Sequence, residues 1–107
     1  MRLTVDRSTI HKGGLDLSYI LVEALDKNGN LCPLADQLIE LDIKGAGVIA
    51  GVGNGNPQSI DPFQADQVKL FYGKAMIIVR SGMVSGKIEL KASTKGLSDA
   101  QAAIQVD

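Results

Sequence analysis

The sequence predicts an all-β sandwich of about seven strands, and three observations predict it. Apolar residues alternate with polar ones at period two through most of the chain. Turn signals return at intervals of roughly 8–12 residues, the spacing of a sandwich built from short strands. No segment sustains an apolar repeat of about 3.6 residues, as an amphipathic helix would.

The elements follow in order. A short leading strand covers "RLTVD" (2–6). In "DLSYILVEAL" (16–25), Ile20, Val22 and Ala24 face one side while Leu17, Tyr19, Leu21 and Leu25 face the other. Two apolar faces predict a central strand, with Tyr19 in the core and Glu23 at a more exposed spot. "DKNGN" (26–30) reads as a turn, because Asn-Gly readily takes positive φ. "QLIELDIKG" (37–45) then alternates cleanly, with Ile39, Leu41 and Ile43 inward and Glu40, Asp42 and Lys44 outward. "GVIAGV" (47–52) is a further short strand candidate.

Glycine and asparagine then crowd "AGVGNGNPQS" (50–59). Gly51, Gly53 and Gly55 permit positive φ, and Asn54 and Asn56 tolerate it, so this stretch is expected to fold sharply before Pro57. "DPFQADQVKL" (61–70) is the nearest approach to a helical window, but Pro62 and a β-rich end weaken it, and "QVKLFY" (67–72) is another strand candidate. "GKAMIIVRSG" (73–82) places Ala75, Ile77 and Val79 on one face, and "GKIELKAST" (86–94) turns Ile88, Leu90 and Ala92 inward. "QAAIQV" (101–106) closes the series with Ala102, Ile104 and Val106 on one side. Residues 1–107 are therefore expected to form a single immunoglobulin-like domain.

Composition excludes several functions. A net charge of −1, with acids and bases interspersed, argues against a nucleic-acid footprint. No run approaches the ~20 apolar residues that span a bilayer, and the start has no apolar core of a signal peptide. Cys32 is the single cysteine and His11 the single histidine, too few for a structural zinc site or an internal disulfide. No metal site and no cofactor are expected.

Other constellations reduce to structure. Asp26, Asn28 and Asn30 mimic the opening of a calcium loop, but Gln37 stands where the twelfth-position glutamate belongs. Glu23, Glu40, Asp42 and Glu89 offer carboxylates for glycoside hydrolysis, yet the alternation puts Glu40, Asp42 and Glu89 on solvated faces. No catalytic residue is assigned. The chain has no Trp, two Tyr and two Phe, which argues against independent sugar binding by stacking. The glycine loop lacks the lysine and following helix of a phosphate cradle.

The stretch "YILVEALDKNGNLCPLADQLIELDIKGAGVIAGVGNGNP" (19–57) resembles the C-terminal immunoglobulin-like domain of bacterial β-galactosidases of glycoside hydrolase family 2. The matching positions are Asp26, Asn28, Gly29, Pro33, Ala35, Gly45, Gly47, Ile49, Ala50, Gly51, Val52, Asn54, Gly55 and Pro57. Downstream, "LFYGKAMIIVRSG" and "GKIELKAS" match two further strand motifs, so the likeness runs from about residue 17 to the end. Cys32 departs from the pattern at a turn position.

The resemblance implies a non-catalytic fragment of a longer enzyme whose catalytic glutamates lie on a separate barrel. Its partners would be the other domains of that hydrolase, with no nucleic acid and no membrane. A contact loop at 50–63, through Asn54, Gly55, Asn56, Pro57 and Phe63, would face a neighbouring domain or the substrate side. A periplasmic or extracellular location is also implied. The first half is similar as well to invasin- and intimin-type immunoglobulin repeats, which are adhesin spacers. "GVIAGVGNGNP" and "PFQADQVKLFYGKAMIIVRS" favour the hydrolase.

Overall fold

In a computed structural model, which describes residues 1–53 and 67–107, the chain forms two antiparallel-dominated sheets around one apolar core. The strands are β1 (Arg2–Val5), β2 (Thr9–Ile10), β3 (Leu17–Glu23), β4 (Leu38–Gly45), β5 (Gly47–Gly53), β6 (Gln67–Lys69), β7 (Lys74–Ser81), β8 (Gly86–Thr94) and β9 (Leu97–Val106). No helix occurs among the described residues. The first sheet has the order β1-β3-β7-β5 and the second β2-β9-β8-β4-β6. This is the expected immunoglobulin-like sandwich. Of the helical-looking window at 61–70, residues 61–66 lie outside the described residues, and the rest leads through β6.

Period-two alternation decides the core. Ile20, Val22, Ala75, Ile77 and Val79 of the first sheet are almost fully buried against Ile39, Leu41, Ile88, Leu90, Ile104 and Val106 of the second. Ile20 pairs with Ile77 and Val22 with Ala75, so β3 and β7 present one continuous inner surface. The predicted inward sets of β4, β7, β8 and β9 all point as expected.

Four features depart from expectation. Strand β2 is too short to show a period, yet it runs parallel to β9 and buries Ile10 completely. Strand β9 begins at Leu97, because a tight turn at Lys95 and Gly96 brings Leu97 opposite Thr94. Glu23 is not at an exposed spot. The edge strand β1 sets Arg2 opposite it, and the Arg2 guanidinium donates to its Oε1 at 2.8 Å, leaving the carboxylate 11% exposed. Tyr19 is not in the core either: it points outward from β3 and is 40% exposed.

One crossing fixes the layer geometry. The chain leaves β4 in the second sheet and enters β5 in the first with only Ala46 between them. Gly45 makes the corner at φ 105°, where a Cβ would stand 1.9 Å from the Lys87 carbonyl oxygen. A Cβ at Gly47 would meet Ile88 Cδ1 at 2.4 Å and the Arg80 carbonyl oxygen at 2.6 Å. Both positions need glycine because a neighbouring strand occupies the side-chain space.

Candidate functional site

The two outer faces of the sandwich differ in chemistry. On the second sheet, β4 exposes Glu40, Asp42 and Lys44, while β8 exposes Lys87, Glu89 and Lys91. Register sets Asp42 opposite Lys91 and Lys44 opposite Glu89, so opposite charges face each other across the strands. Lys87 Nζ lies 3.5 Å from Glu89, and Lys91 Nζ lies 3.5 Å from Asp99. A shallow hollow of about 300 Å³ lies over this region, lined in part by Asp42, Lys44 and Gln101. Such exposed pairs are each worth at most ~1 kcal/mol and keep the face wet. The carboxylates considered for glycoside hydrolysis are therefore solvated or, for Glu23, locked to Arg2.

The outer face of the first sheet is apolar at its centre, with Arg80, Lys74 and the Arg2–Glu23 pair around it. Leu17, Tyr19 and Leu21 of β3 lie beside Met76 and Ile78 of β7, and Val48 of β5 continues the surface. Tyr19, Met76 and Val48 are exposed, and the other three are half-buried. Gly51 pairs with Ile78 and Gly53 with Met76, so the β5 edge adds almost no height to this face.

The ends of the sandwich are held by polar clamps. At one end, Asp16 takes a two-pronged pair from Arg7, whose second nitrogen donates to Oδ2 at 2.9 Å. The His11 and Leu17 amides also donate to this carboxylate, at 2.9 and 3.1 Å. The Arg7 hydrogen bond is the main cause that holds the Asp16 pKa down at about 2, and the His11 amide adds to it. Close by, the buried Ser18 hydroxyl donates to the Arg7 carbonyl oxygen at 2.7 Å. His11 Nδ1 lies 2.7 Å from Asp107 Oδ1.

At the other end, Asp26 Oδ1 accepts the Asn28 and Asn30 amides at 2.8 and 3.0 Å, and Gly29 takes φ 82°. That is a self-capped turn, and its lead carboxylate is spent on backbone amides rather than on a cation. Nearby, Tyr72 (φ 52°) and Gly73 (φ 77°) form a two-residue hairpin turn between Phe71 and Lys74. The Phe71 and Tyr72 rings stand 4.4 Å apart. Among the described residues, no three His, Cys, Asp or Glu side chains gather as a metal ion would need.

Of the predicted contact loop, Asn54, Gly55, Asn56, Pro57 and Phe63 lie outside the described residues. The glycines before them correct one expectation. Gly51 and Gly53 belong to β5 and neither has positive φ, so they flatten a strand and do not form a turn. The outward set Tyr19, Met76 and Ile78 went unrecognised as a surface. The two apolar faces of residues 17–25 are the same signal that a strand covered on both sides within the chain would give.

A profile described as glycoside hydrolase family 2 C-terminal domain 5 matches residues 1–103. The chain belongs to this family. This family 2 domain is 45% identical over 100 residues to β-galactosidase BoGH2A of Bacteroides ovatus, covering 94% of the chain and 12% of that protein. It also superposes on a glycosyl hydrolase family 2 member from Bacteroides cellulosilyticus with a TM-score of 0.95 and 42% identity, covering 99% of this chain and 14% of the other. The domain thus spans only about an eighth of the length of such proteins. A C-terminal fragment of intimin, in complex with an intimin receptor domain, shares the fold at a TM-score of 0.66 and 13% identity. The adhesin likeness is one of fold alone.

Proposed function

We propose that this domain is a non-catalytic accessory module of a β-galactosidase-like family 2 hydrolase. It packs on neighbouring domains, stabilises the multidomain enzyme and helps to shape the rim of the active site, with the 50–63 loop as one contact. The carrying observation is the family match over residues 1–103 in a chain that spans 12% of its β-galactosidase relative. The chemistry of the described surface supports the non-catalytic reading, because Asp42 and Glu89 stand 64% and 63% exposed on an open face beside lysines. A glycosidase acid and its partner carboxylate need a cleft that shields them and raises one pKa.

The test uses the full-length parent enzyme. Glu40→Gln, Asp42→Asn and Glu89→Gln together should leave kcat within about twofold, and a loss of several orders of magnitude would overturn the non-catalytic reading. Removing residues 1–107 should lower the melting temperature of the remaining enzyme. An unchanged melting temperature would overturn the stabilising role. Asn54→Ala with Asn56→Ala should shift kinetics or melting temperature, and no shift in either removes the loop from the contact.

A further inference from the structure

The outer face of the first sheet is built like one side of an interface. We infer that this face, and not the charged face of the second sheet, is where the domain docks onto the preceding domain of its own polypeptide. The inference rests on the accessory-domain reading and names the surface and the chemistry of its partner.

Four observations carry it. The first is contrast: β4 and β8 put charges outward at alternate positions, whereas the centre of the β3–β7 face has Leu17, Tyr19, Leu21, Met76 and Ile78 in the same role. Strands β3, β7 and β5, seven to eight residues long at ~4.8 Å spacing, give a face on the order of 300 Å². That matches the largest patch a monomer ordinarily leaves uncovered, and counted on both partners it reaches the low end of an interdomain contact.

The second observation is relief. Gly53 carries no side chain beside Met76, and among the described residues nothing stands within 4 Å of where its Cβ would be. Bare backbone beside Met76 lets a facing surface approach closely. The third is charge. Arg80 stands exposed beside Val48 on this face, and no carboxylate among the described residues pairs with it. The partner surface should therefore be apolar, with one acidic side chain placed against Arg80.

The fourth is connection. About seven-eighths of the related β-galactosidase lies outside the matched region, and a C-terminal domain receives that preceding polypeptide at its first strand. Strand β1 is an edge of this same sheet. The amino group of Met1 also reaches the Ser98 carbonyl oxygen of β9, so the chain enters at the border of the two sheets and brings the preceding domain to the edge of this face.

The experiment uses the full-length parent polypeptide and compares three variants with the parental sequence. Ile78→Glu puts a charge at the centre of the face, and Gly53→Glu adds a charged side chain beside Met76 on the β5 edge. Ala103→Glu makes the matching change on the second sheet. Oxidative labelling of Met76, read by mass spectrometry, reports whether the face is covered. Met76 should be protected in the parent and label at least fivefold faster in Ile78→Glu and Gly53→Glu, with Ala103→Glu unchanged. Calorimetry should show this domain unfolding as a separate, earlier transition in the first two variants only.

Gly53→Glu keeps the test decisive if Ile78→Glu fails to fold. Met76 labelling freely in the parent would overturn the inference. A separate transition in Ala103→Glu alone would also overturn it, moving the docking to the other sheet while the accessory role stands. Protection of Met76 that falls on dilution would mean that a second copy covers the face, and would overturn the intramolecular partner.

Discussion

Replacing Gly45 by alanine tests the claim that the sheet-to-sheet crossing dictates glycine at this corner. The residue sits at φ 105°, and the new Cβ would fall 1.9 Å from the Lys87 carbonyl oxygen. That backbone φ costs a non-glycine residue about 1–3 kcal/mol. The clash is with main chain at the end of the β4–β8 ladder, so relief requires β4 and β8 to separate there, at about 1–3 kcal/mol more. Separation also weakens the bond from the Ala46 amide to Lys87 O, 3.2 Å long, worth about 1 kcal/mol. The expected loss is on the order of 4 kcal/mol, a large share of the 5–15 kcal/mol typical of a domain.

Gly53→Ala is the matched control. It has ordinary φ, and among the described residues nothing stands within 4 Å of its Cβ position, so it should be neutral or stabilise by about 0.5 kcal/mol. Urea unfolding of the 107-residue chain, followed by far-ultraviolet circular dichroism, reads both changes. A loss below about 1 kcal/mol for Gly45→Ala, or equal losses for the two variants, would refute the reasoning.

Three further outcomes follow from the same geometry. Ile77→Ala removes a fully buried side chain paired with Ile20 and should cost about 2–5 kcal/mol in the same unfolding assay. Asp16 has a folded pKa near 2, below its ordinary 3.8, so its contribution is complete above pH ~4 and disappears as the pH falls toward 2. Asp16→Asn should accordingly be less stable than the parent at pH 6, with the gap closing by pH 2, as pH-dependent melting curves would show. Asp26→Ala deprives two turn amides of their acceptor and should cost about 1 kcal/mol, with faster hydrogen exchange at Asn28 and Asn30.

Most of the fold was legible because burial on one side of a strand writes itself as alternation. Residues 37–45, 73–82, 86–94 and 101–106 each announced their inner face, and the structure buries those residues. Strand β2 was illegible because two residues cannot display a period, and Ile10 is buried only by its parallel pairing with β9. The polar turn at Asp26 was legible because its hydrogen bonds close within five residues of sequence. Of the candidate site, the solvated standing of Glu40, Asp42 and Glu89 could be read in advance. The apolar outer face could not, since an apolar residue on a central strand gives the same signal whether the neighbouring layer is in this chain or beyond it.

The sequence by itself determined the sandwich, its principal strands and their inward residues, because these follow from local periodicity and turn chemistry. Tertiary structure alone decided which of the two apolar faces of β3 is covered, since that depends on where the second sheet lies. It turned Tyr19 outward and gave Glu23 its partner on β1. It also separated glycines that look alike in sequence. Gly45 and Gly47 are glycine because backbone and side chains of other strands occupy the space where a Cβ would stand, whereas among the described residues nothing crowds that space at Gly53.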